Sequence, residues 1–182
     1  MARKNRVKLS VLAIVVCGLG ILSLAGTGVA SLLETRTAGV ALEDLTNDIY
    51  FARRTAADTK TPVTVCQSED ASSCANNGHW ESGWLLFEDY DRDSVRDPHE
   101  KILRSQGPVS GRATIRAKEG AASRVFSSIA FTRFGLPKHI SGMSLNGTLR
   151  ICNAEASTTK VGLKVTSVGS TYTTKNTQYE CV

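Results

Sequence analysis

The chain has 182 residues, of which 41% are hydrophobic, and a formal net charge of +5. This length is typical of one domain of ordinary size with an additional segment. Four of the 22 basic residues lie in positions 1–8, so the remaining 18 bases stand against 17 acids, a net charge of +1. A net charge this close to zero excludes functions that depend on a positive charge over the whole domain, such as binding of nucleic acid through its overall charge.

The N-terminus predicts a membrane anchor. Residues 1–8 form a basic cytoplasmic leader or tail, and residues 9–33 continue with 25 positions without a charge. A run of this length can cross a hydrocarbon core about 30 Å thick, and a basic flank stays cytoplasmic. We therefore expect a single-pass transmembrane helix at 9–33 in a bacterial inner membrane, with the rest of the chain in the periplasm. A cleavable secretory signal that ends in the small residues 26–30 is the alternative.

Residues 34–60 predict an amphipathic helix that continues directly from the apolar run. Apolar side chains recur there at spacings of three and four, which is typical of one helix face. The large residues of this packing face are Leu42, Leu45 and Ile49. Charged residues such as Asp48 and Arg53 are predicted on the remaining surface of the helix.

Residues 61–182 predict a β-rich globular head. Period-two alternation and short apolar runs, separated by clusters of Gly, Ser, Asn and Pro, indicate seven strands. The predicted strands are 62–66, 83–88, 101–105, 113–117, 124–132, 147–152 and 160–167. No helical segment separates them, so the sheets should be antiparallel and the amphipathic helix must pack on them. The expected fold class is therefore α+β.

Four of the five cysteines predict two disulfides in the head. Cys17 lies in the apolar run, which leaves Cys66, Cys74, Cys152 and Cys181. An even number of cysteines in an exported domain indicates disulfides, and four cysteines allow three pairings. Proximity in sequence favours Cys66–Cys74 and Cys152–Cys181.

The stretch DYDRDSVRDPHE, residues 89–100, has the spacing of a calcium loop. An EF-hand loop takes oxygen ligands from positions 1, 3, 5, 7, 9 and 12. The corresponding residues are Asp89, Asp91, Asp93, Val95 with its carbonyl, Asp97 and Glu100. Ser94 stands where glycine is usual, and the flanks read as strands rather than helices. A structural calcium ion that rigidifies the loop is one interpretation, and a solvated turn with Arg92 and Arg96 as counter-charges is the other.

Charge is segregated along the head. Residues 69–100 carry nine acids and two arginines, a net charge of −7, and residues 101–138 carry eight bases and one acid, a net charge of +7. We expect neighbouring loops and strands to neutralise each other. Docking of an acidic face on a basic face in an assembly is the alternative interpretation of the same pattern. No catalytic motif is present and the three histidines are scattered, so we expect neither an enzyme nor a cofactor other than calcium.

Several motifs resemble the GspH/FimT/FimU group of minor pilins. The stretch LEDLTNDIYFARRTAADTKTPVTVCQ (42–67) is similar to the group's helix and first strand. The block Trp-x-x-Gly-Trp-x-x-Phe, with the acidic loop after it, is the more specific match and contains Trp80, Gly83, Trp84 and Phe87. Further similarity covers SIAFTRFGLP (128–137) and GTLRICNA (147–154) with the terminal cysteine. We expect Trp80 and Trp84 in the core.

The resemblance implies a type IV pilin-like fold, in which half of a long N-terminal helix is inserted in the membrane and half packs on antiparallel sheets. It implies a non-enzymatic structural subunit that helps initiate or cap assembly of a type IV pilus or secretion pseudopilus. The implied partners are other minor pilins and the major pilin or pseudopilin, with the subunit at the pilus tip after assembly. Some members of the group bind DNA during uptake, which implies DNA binding as an alternative function. The candidate residues for it are in the basic stretch 101–138, namely Arg112, Arg116 and Arg124.

The chain departs from the family at residues 6–16. Family members have a glycine before the cleavage site of the leader and a glutamate within the membrane run, and this stretch has neither. An intramembrane carboxylate is costly and is retained for a function. The alternative to an incorporated subunit is therefore a pilin-like protein that stays in the membrane with an uncut leader.

Overall fold

The computed structural model describes residues 39–110, 113–117, 127–138, 145–152 and 161–174. All of them belong to one compact unit, residues 37–182. The predicted basic leader 1–8 and the predicted transmembrane helix 9–33 lie outside the described residues. Within the described ranges, no helix is both long enough and apolar enough to cross a membrane.

A long helix, α1, occupies residues 39–59. Its buried face consists of residues at spacings of three and four, all at most 5% exposed: Ala41, Leu45, Ile49, Ala52 and Ala56. This spacing keeps the five side chains in one stripe along the helix. Lys60 has a φ of 59°, a left-handed conformation common just after a helix, and Pro62 follows within the next turn.

The described strands form two antiparallel sheets. The strands are β1 (Val63–Gln67), β2 (Trp84–Glu88), β3 (Ile102–Gln106), β4 (Thr114–Ala117), β5 (Ser128–Phe131), β6 (Gly147–Cys152), β7 (Val161–Val165) and β8 (Thr171–Thr174). The first sheet has the order β3-β2-β1-β5, and the second has the order β4-β6-β7-β8. Every pairing is antiparallel, as the sequence predicts.

Each of the seven predicted strands overlaps an observed strand, but β8 was not predicted. Its sequence, Thr-Tyr-Thr-Thr, has no alternation of apolar and polar residues. β8 pairs with β7 alone and lies at the edge of the second sheet. Tyr172 in its centre is exposed. An edge strand that buries little apolar surface leaves no hydrophobic pattern in the sequence.

The core joins α1 to both sheets. Leu45 and Ile49 of α1 belong to the same buried cluster as Val65 and Phe131 of the first sheet and Leu149 of the second. The apolar stripe of the helix therefore packs on the sheets, and the predicted α+β class, with a helix packed on antiparallel sheets, is confirmed.

The central strands of the first sheet are buried on their other face as well. Cys66, Leu85 and Phe87 form a second, smaller cluster against Cys74. Cys66 and Cys74 are joined by a disulfide, which confirms that pairing. Cys152 is also in a disulfide, and its predicted partner Cys181 lies outside the described residues. The Cys152–Cys181 pairing stays a prediction.

The Trp-x-x-Gly-Trp block forms a turn that leads into β2. Trp80 begins a one-turn 3-10 helix, Trp80–Ser82, and Trp80 and Trp84 are 0% and 1% exposed, as expected of core residues. Gly83 between them has a φ of 119°, which side chains rarely permit. A Cβ atom at Gly83 would lie 2.5 Å from the carbonyl oxygen of Gln106 and 2.9 Å from that of Ser68. The block therefore requires glycine at this position.

Replacement of Gly83 by alanine should destabilise the head by at least about 2 kcal/mol, because strained backbone and displaced neighbouring carbonyls both raise the energy of the folded state. Gly107→Ala is the matched control, since no atom lies within 4 Å of its Cβ position. This control should change the free energy of unfolding by less than about 0.5 kcal/mol. Thermal unfolding of the full-length chain in detergent measures both, and equal midpoints for the two variants would contradict the steric account.

Candidate functional site

Asp48 is a buried acid that joins α1 to the first sheet. Its side chain accepts a hydrogen bond from the indole N–H of Trp84 at 2.9 Å and one from the guanidinium of Arg104 at 3.0 Å. The Arg104 guanidinium also lies over the Phe51 ring, 3.5 Å from the ring centroid. Trp84 is in β2 and Arg104 in β3, so one carboxylate connects the helix to two strands.

The prediction that Asp48 lies on the exposed surface of the helix is wrong. Asp48 is 9% exposed. It follows Leu45 by three positions and precedes Ala52 by four, so it falls within the buried stripe of α1. The position of Asp48 within the apolar stripe could have indicated its burial from the sequence. An acid in such a stripe needs a polar partner in the core. Its partners are 36 and 56 residues away in sequence and could not be identified from the helix alone.

Arg53 joins α1 to one turn of each sheet. Its Nε donates to the carbonyl of Gly135, in the turn after β5, and its Nη1 donates to the carbonyl of Gly169, in the turn between β7 and β8, both at 3.2 Å. Both glycines have positive φ, 70° and 78°, and a Cβ atom at Gly169 would lie 3.1 Å from Arg53 Nε. The guanidinium of Arg53 thus donates hydrogen bonds to the main-chain carbonyls of both turns. Arg53 is half-buried and lies outside the apolar stripe, as predicted for a charged residue of the helix surface, but its two carbonyl partners were not predicted.

The predicted packing residues of the helix hold it to the head. Leu45 and Ile49 are fully buried, and Leu42 is half-buried at the edge of the same cluster. Their side chains are therefore occupied by contacts within this chain. The opposite face of α1 is exposed along a stripe of residues at spacings of three and four: Val40, Glu43, Asn47, Tyr50, Arg54 and Asp58. The two large apolar members, Val40 and Tyr50, are 57% and 59% exposed.

The structure brings together three of the predicted calcium ligands. Asp89, Asp91 and Asp93 each offer a carboxylate oxygen, and these oxygens lie within 4.8 Å of one another. Glu100 is buried, and its two oxygens accept the N–H groups of Tyr90 at 2.8 Å and Asp97 at 2.9 Å. Glu100 thereby closes the loop on itself. Asp97 does not belong to the group of three.

The Asp89 carboxylate is buried beside β1. Its Oδ2 accepts the Thr64 hydroxyl at 2.6 Å and the Ser94 N–H at 3.3 Å. Burial raises the pKa of Asp89 above its ordinary value, the hydrogen bond from Thr64 lowers this pKa, and the charge of Glu100 raises it. Burial is the largest of these causes, so the loop holds a carboxylate in a site unfavourable to its charge.

The predicted DNA patch is only partly described. Arg112 and Arg124 lie outside the described residues. Arg116 forms an ion pair with Glu81, whose other oxygen accepts the N–H of Ile115 at 3.1 Å. This pair joins the acidic and basic halves of the head, as expected if neighbouring segments neutralise each other.

Four other cationic side chains line a cavity of about 440 Å³. Its charged lining residues are Lys60, Arg92, Arg133 and Lys138. The exposed Phe134 ring also lines it, 5.0 Å from the Arg133 guanidinium. The sequence did not predict this cavity, because its cations come from the end of α1, the acidic loop and the turn after β5.

Residues 41–169 match the profile of a protein family that is described as Type II transport protein GspH. The chain belongs to this GspH family, and the predicted resemblance to the GspH/FimT/FimU group is confirmed. None of the curated proteins matches the chain significantly.

Two crystal forms of the type IV minor pilin FimU from Pseudomonas aeruginosa strain PAO1 are similar to the chain in structure. One has a TM-score of 0.56 at 16% identity and covers 78% of this chain and 90% of its own length. The other has a TM-score of 0.54 at 15% identity and covers 79% and 96%. At such identities the likeness establishes the fold, which is that of a type IV pilin.

Loss of the Arg53 guanidinium should loosen the attachment of α1. Arg53→Ala removes two part-buried hydrogen bonds from a charged donor to the carbonyls of Gly135 and Gly169 and should lower the free energy of unfolding by about 2 kcal/mol. Arg53→Lys keeps the charge without the two-donor fork and should recover less than half of this loss. The matched control is Arg54→Ala, because Arg54 is exposed and pairs only with Asp58 among the described residues. Removal of that pair should cost less than about 0.5 kcal/mol.

Denaturant unfolding of the full-length chain in detergent compares the three variants with the wild type. Similar losses for Arg53→Ala and Arg54→Ala would contradict the role of Arg53 as the connection between α1 and the two turns.

Proposed function

We propose that the chain is a non-enzymatic minor subunit that helps initiate or cap a type IV pilus or a secretion pseudopilus. The observation that carries this proposal is the arrangement of α1. One face is fixed to both sheets by apolar packing and by the bonds of Asp48 and Arg53. The other face is exposed and includes Val40 and Tyr50. Members of the GspH family are structural subunits of such assemblies, which supports this role.

A helix fixed in this way keeps one orientation on the head. In the proposed subunit, the predicted run 9–33 crosses the inner membrane and the head lies in the periplasm. Directional polar bonds at Asp48 and Arg53 prevent α1 from sliding or rotating on the sheets. The loops of the head would then face the same partners in every copy.

The exposed stripe of α1 is the surface that we assign to a neighbouring pilin or pseudopilin helix. Val40 and Tyr50 are separated by ten positions, close to three helical turns, and the residues between them on this face are polar. Tyrosine contributes strongly to interfaces because it buries a large rigid ring and keeps a hydroxyl for hydrogen bonding. A mixed stripe of this composition suits a contact that forms after the subunit has folded.

Binding of DNA during uptake is the second candidate function. Arg116 gives it little support, because that arginine is engaged by Glu81. The specific observation in its favour is the cavity that Lys60, Arg133 and Lys138 line together with the exposed Phe134 ring. Cations beside an exposed aromatic ring are a combination that also binds single-stranded nucleic acid.

The assembly role predicts that Tyr50→Ala reduces co-purification of the full-length chain with pilin-like subunits co-expressed from the same genome, by about fivefold or more. A contact tyrosine typically contributes more than about 1 kcal/mol to an interface. Tyr172→Ala is the matched control, since Tyr172 is a similarly exposed tyrosine on β8 and not on the exposed stripe of α1. It should co-purify like the wild type.

Two results would contradict the proposal. One is failure of the wild-type chain to co-purify with any of these subunits, and the other is equal recovery of the Tyr50 and Tyr172 variants. A gel shift with single-stranded DNA at low salt separates the two candidate functions. An assembly subunit without a role in uptake leaves the DNA unshifted.

A further inference from the structure

The loop between β2 and β3 holds three carboxylates at the spacing of ligands around one cation. The oxygens offered by Asp89, Asp91 and Asp93 lie within 4.8 Å of one another. Calcium binds oxygens at 2.3–2.6 Å, so two of its ligands can be at most about 5 Å apart. Three oxygens no more than 4.8 Å apart lie within about 2.8 Å of a common point, so small rotations of the side chains bring all three to calcium distances.

Burial of Asp89 is an independent observation that points to a ligand. Asp89 is 1% exposed, and its Oδ1 has no hydrogen-bond partner among the described residues. An unsatisfied carboxylate oxygen away from water is costly, and native proteins compensate such groups with a partner or an ion. The buried Glu100 adds a second carboxylate to the same loop, so the charge to be compensated is larger still.

The arginines of the loop do not supply that compensation. Arg96 donates to the carbonyls of Pro98 and Glu100, and its guanidinium makes no ion pair with a carboxylate within the described part of the chain. Arg92 lines the basic cavity. The interpretation of both arginines as local counter-charges for the acids is therefore not supported by their contacts.

The backbone of the loop already has the turn that a calcium loop requires. Ser94, at the sixth position where EF-hands usually have glycine, has a φ of 61°. The N–H groups of Asp93 and Val95 donate to the carboxylates of Asp91 and Asp93, at 3.4 Å and 2.7 Å. These bonds orient the side chains of the third and fifth positions within the loop.

We propose that Asp89, Asp91 and Asp93 bind one calcium ion. Glu100, the twelfth residue, closes the loop through the N–H groups of Tyr90 and Asp97 and is not among the proposed ligands. Water and main-chain carbonyls complete the coordination. A site with three carboxylates, two of them exposed, belongs with weak extracellular sites, whose Kd is about 10⁻⁴ to 10⁻³ M. This inference does not depend on the assembly role.

The test uses the full-length chain in detergent, stripped of metal with a chelator and titrated with calcium chloride. Calorimetry should give a Kd in the range of about 10⁻⁴ to 10⁻³ M, and the midpoint of thermal unfolding should rise by about 2 °C or more at saturating calcium. Magnesium chloride should give a much smaller response, because magnesium requires a tighter octahedral geometry and gives up its water reluctantly.

The paired substitution Asp91→Asn and Asp93→Asn removes two ligand charges from exposed positions, so the fold should survive. Calcium affinity should fall about tenfold or more. Asp58→Asn, which removes an exposed carboxylate of α1 outside the cluster, should bind calcium like the wild type. The proposal would be overturned by absence of heat and of any thermal shift up to about 10 mM calcium, well above the expected Kd. It would also be overturned by an unchanged response of the paired variant or by an equal response to magnesium.

Discussion

The carboxylate of Asp48 determines how α1 lies on the head. Much of the buried stripe of the helix is alanine, and burial of apolar surface has no direction, so packing alone permits small rotations and shifts. Hydrogen bonds are directional. Because Asp48 accepts from Trp84 and Arg104 together, its two hydrogen bonds favour one position of the helix on the first sheet. Loss of that position would leave a charge and an indole N–H unpaired in the core.

The second constraint acts across the sheets. Arg53 lies five residues after Asp48, more than one helical turn further along α1, and binds one turn from each sheet. The two sheets share no strand, so the helix is the element that holds their turns together. A head built in this way moves with its helix.

Local patterns predicted most of the fold. Alternation identified seven strands, the spacing of apolar residues identified α1, and the proximity of Cys66 and Cys74 identified their disulfide. β8 could not be predicted, because a polar edge strand owes its place to backbone pairing with β7. Asp48 was misplaced, and the partners of Arg53 were missed, for a related reason. A periodic pattern assigns a charged residue to solvent unless its partner is known, and both partners come from distant parts of the chain.

The acidic loop shows what spacing can and cannot predict. Alternate acids at Asp89, Asp91 and Asp93 correctly indicated carboxylates that meet in space. Spacing could not indicate that both carboxylate oxygens of Glu100 accept N–H groups of its own loop. Nor could it indicate that Asp89 is buried against Thr64. The acidic and basic halves of the head neutralise each other in one observed contact, the ion pair between Arg116 of β4 and Glu81.

The most direct test of this account is the free energy of unfolding of the full-length Asp48→Ala chain in detergent, with Asp58→Ala as the control. The account predicts a loss of about 2 kcal/mol for Asp48→Ala, because the buried indole N–H of Trp84 loses its acceptor while the exposed Arg104 guanidinium is solvated by water, and less than about 0.5 kcal/mol for the exposed Asp58. Hydrogen exchange in the Asp48 variant should show the amides of α1 opening before those of β1 and β2. A loss below about 0.5 kcal/mol, with α1 as protected as in the wild type, would contradict the account.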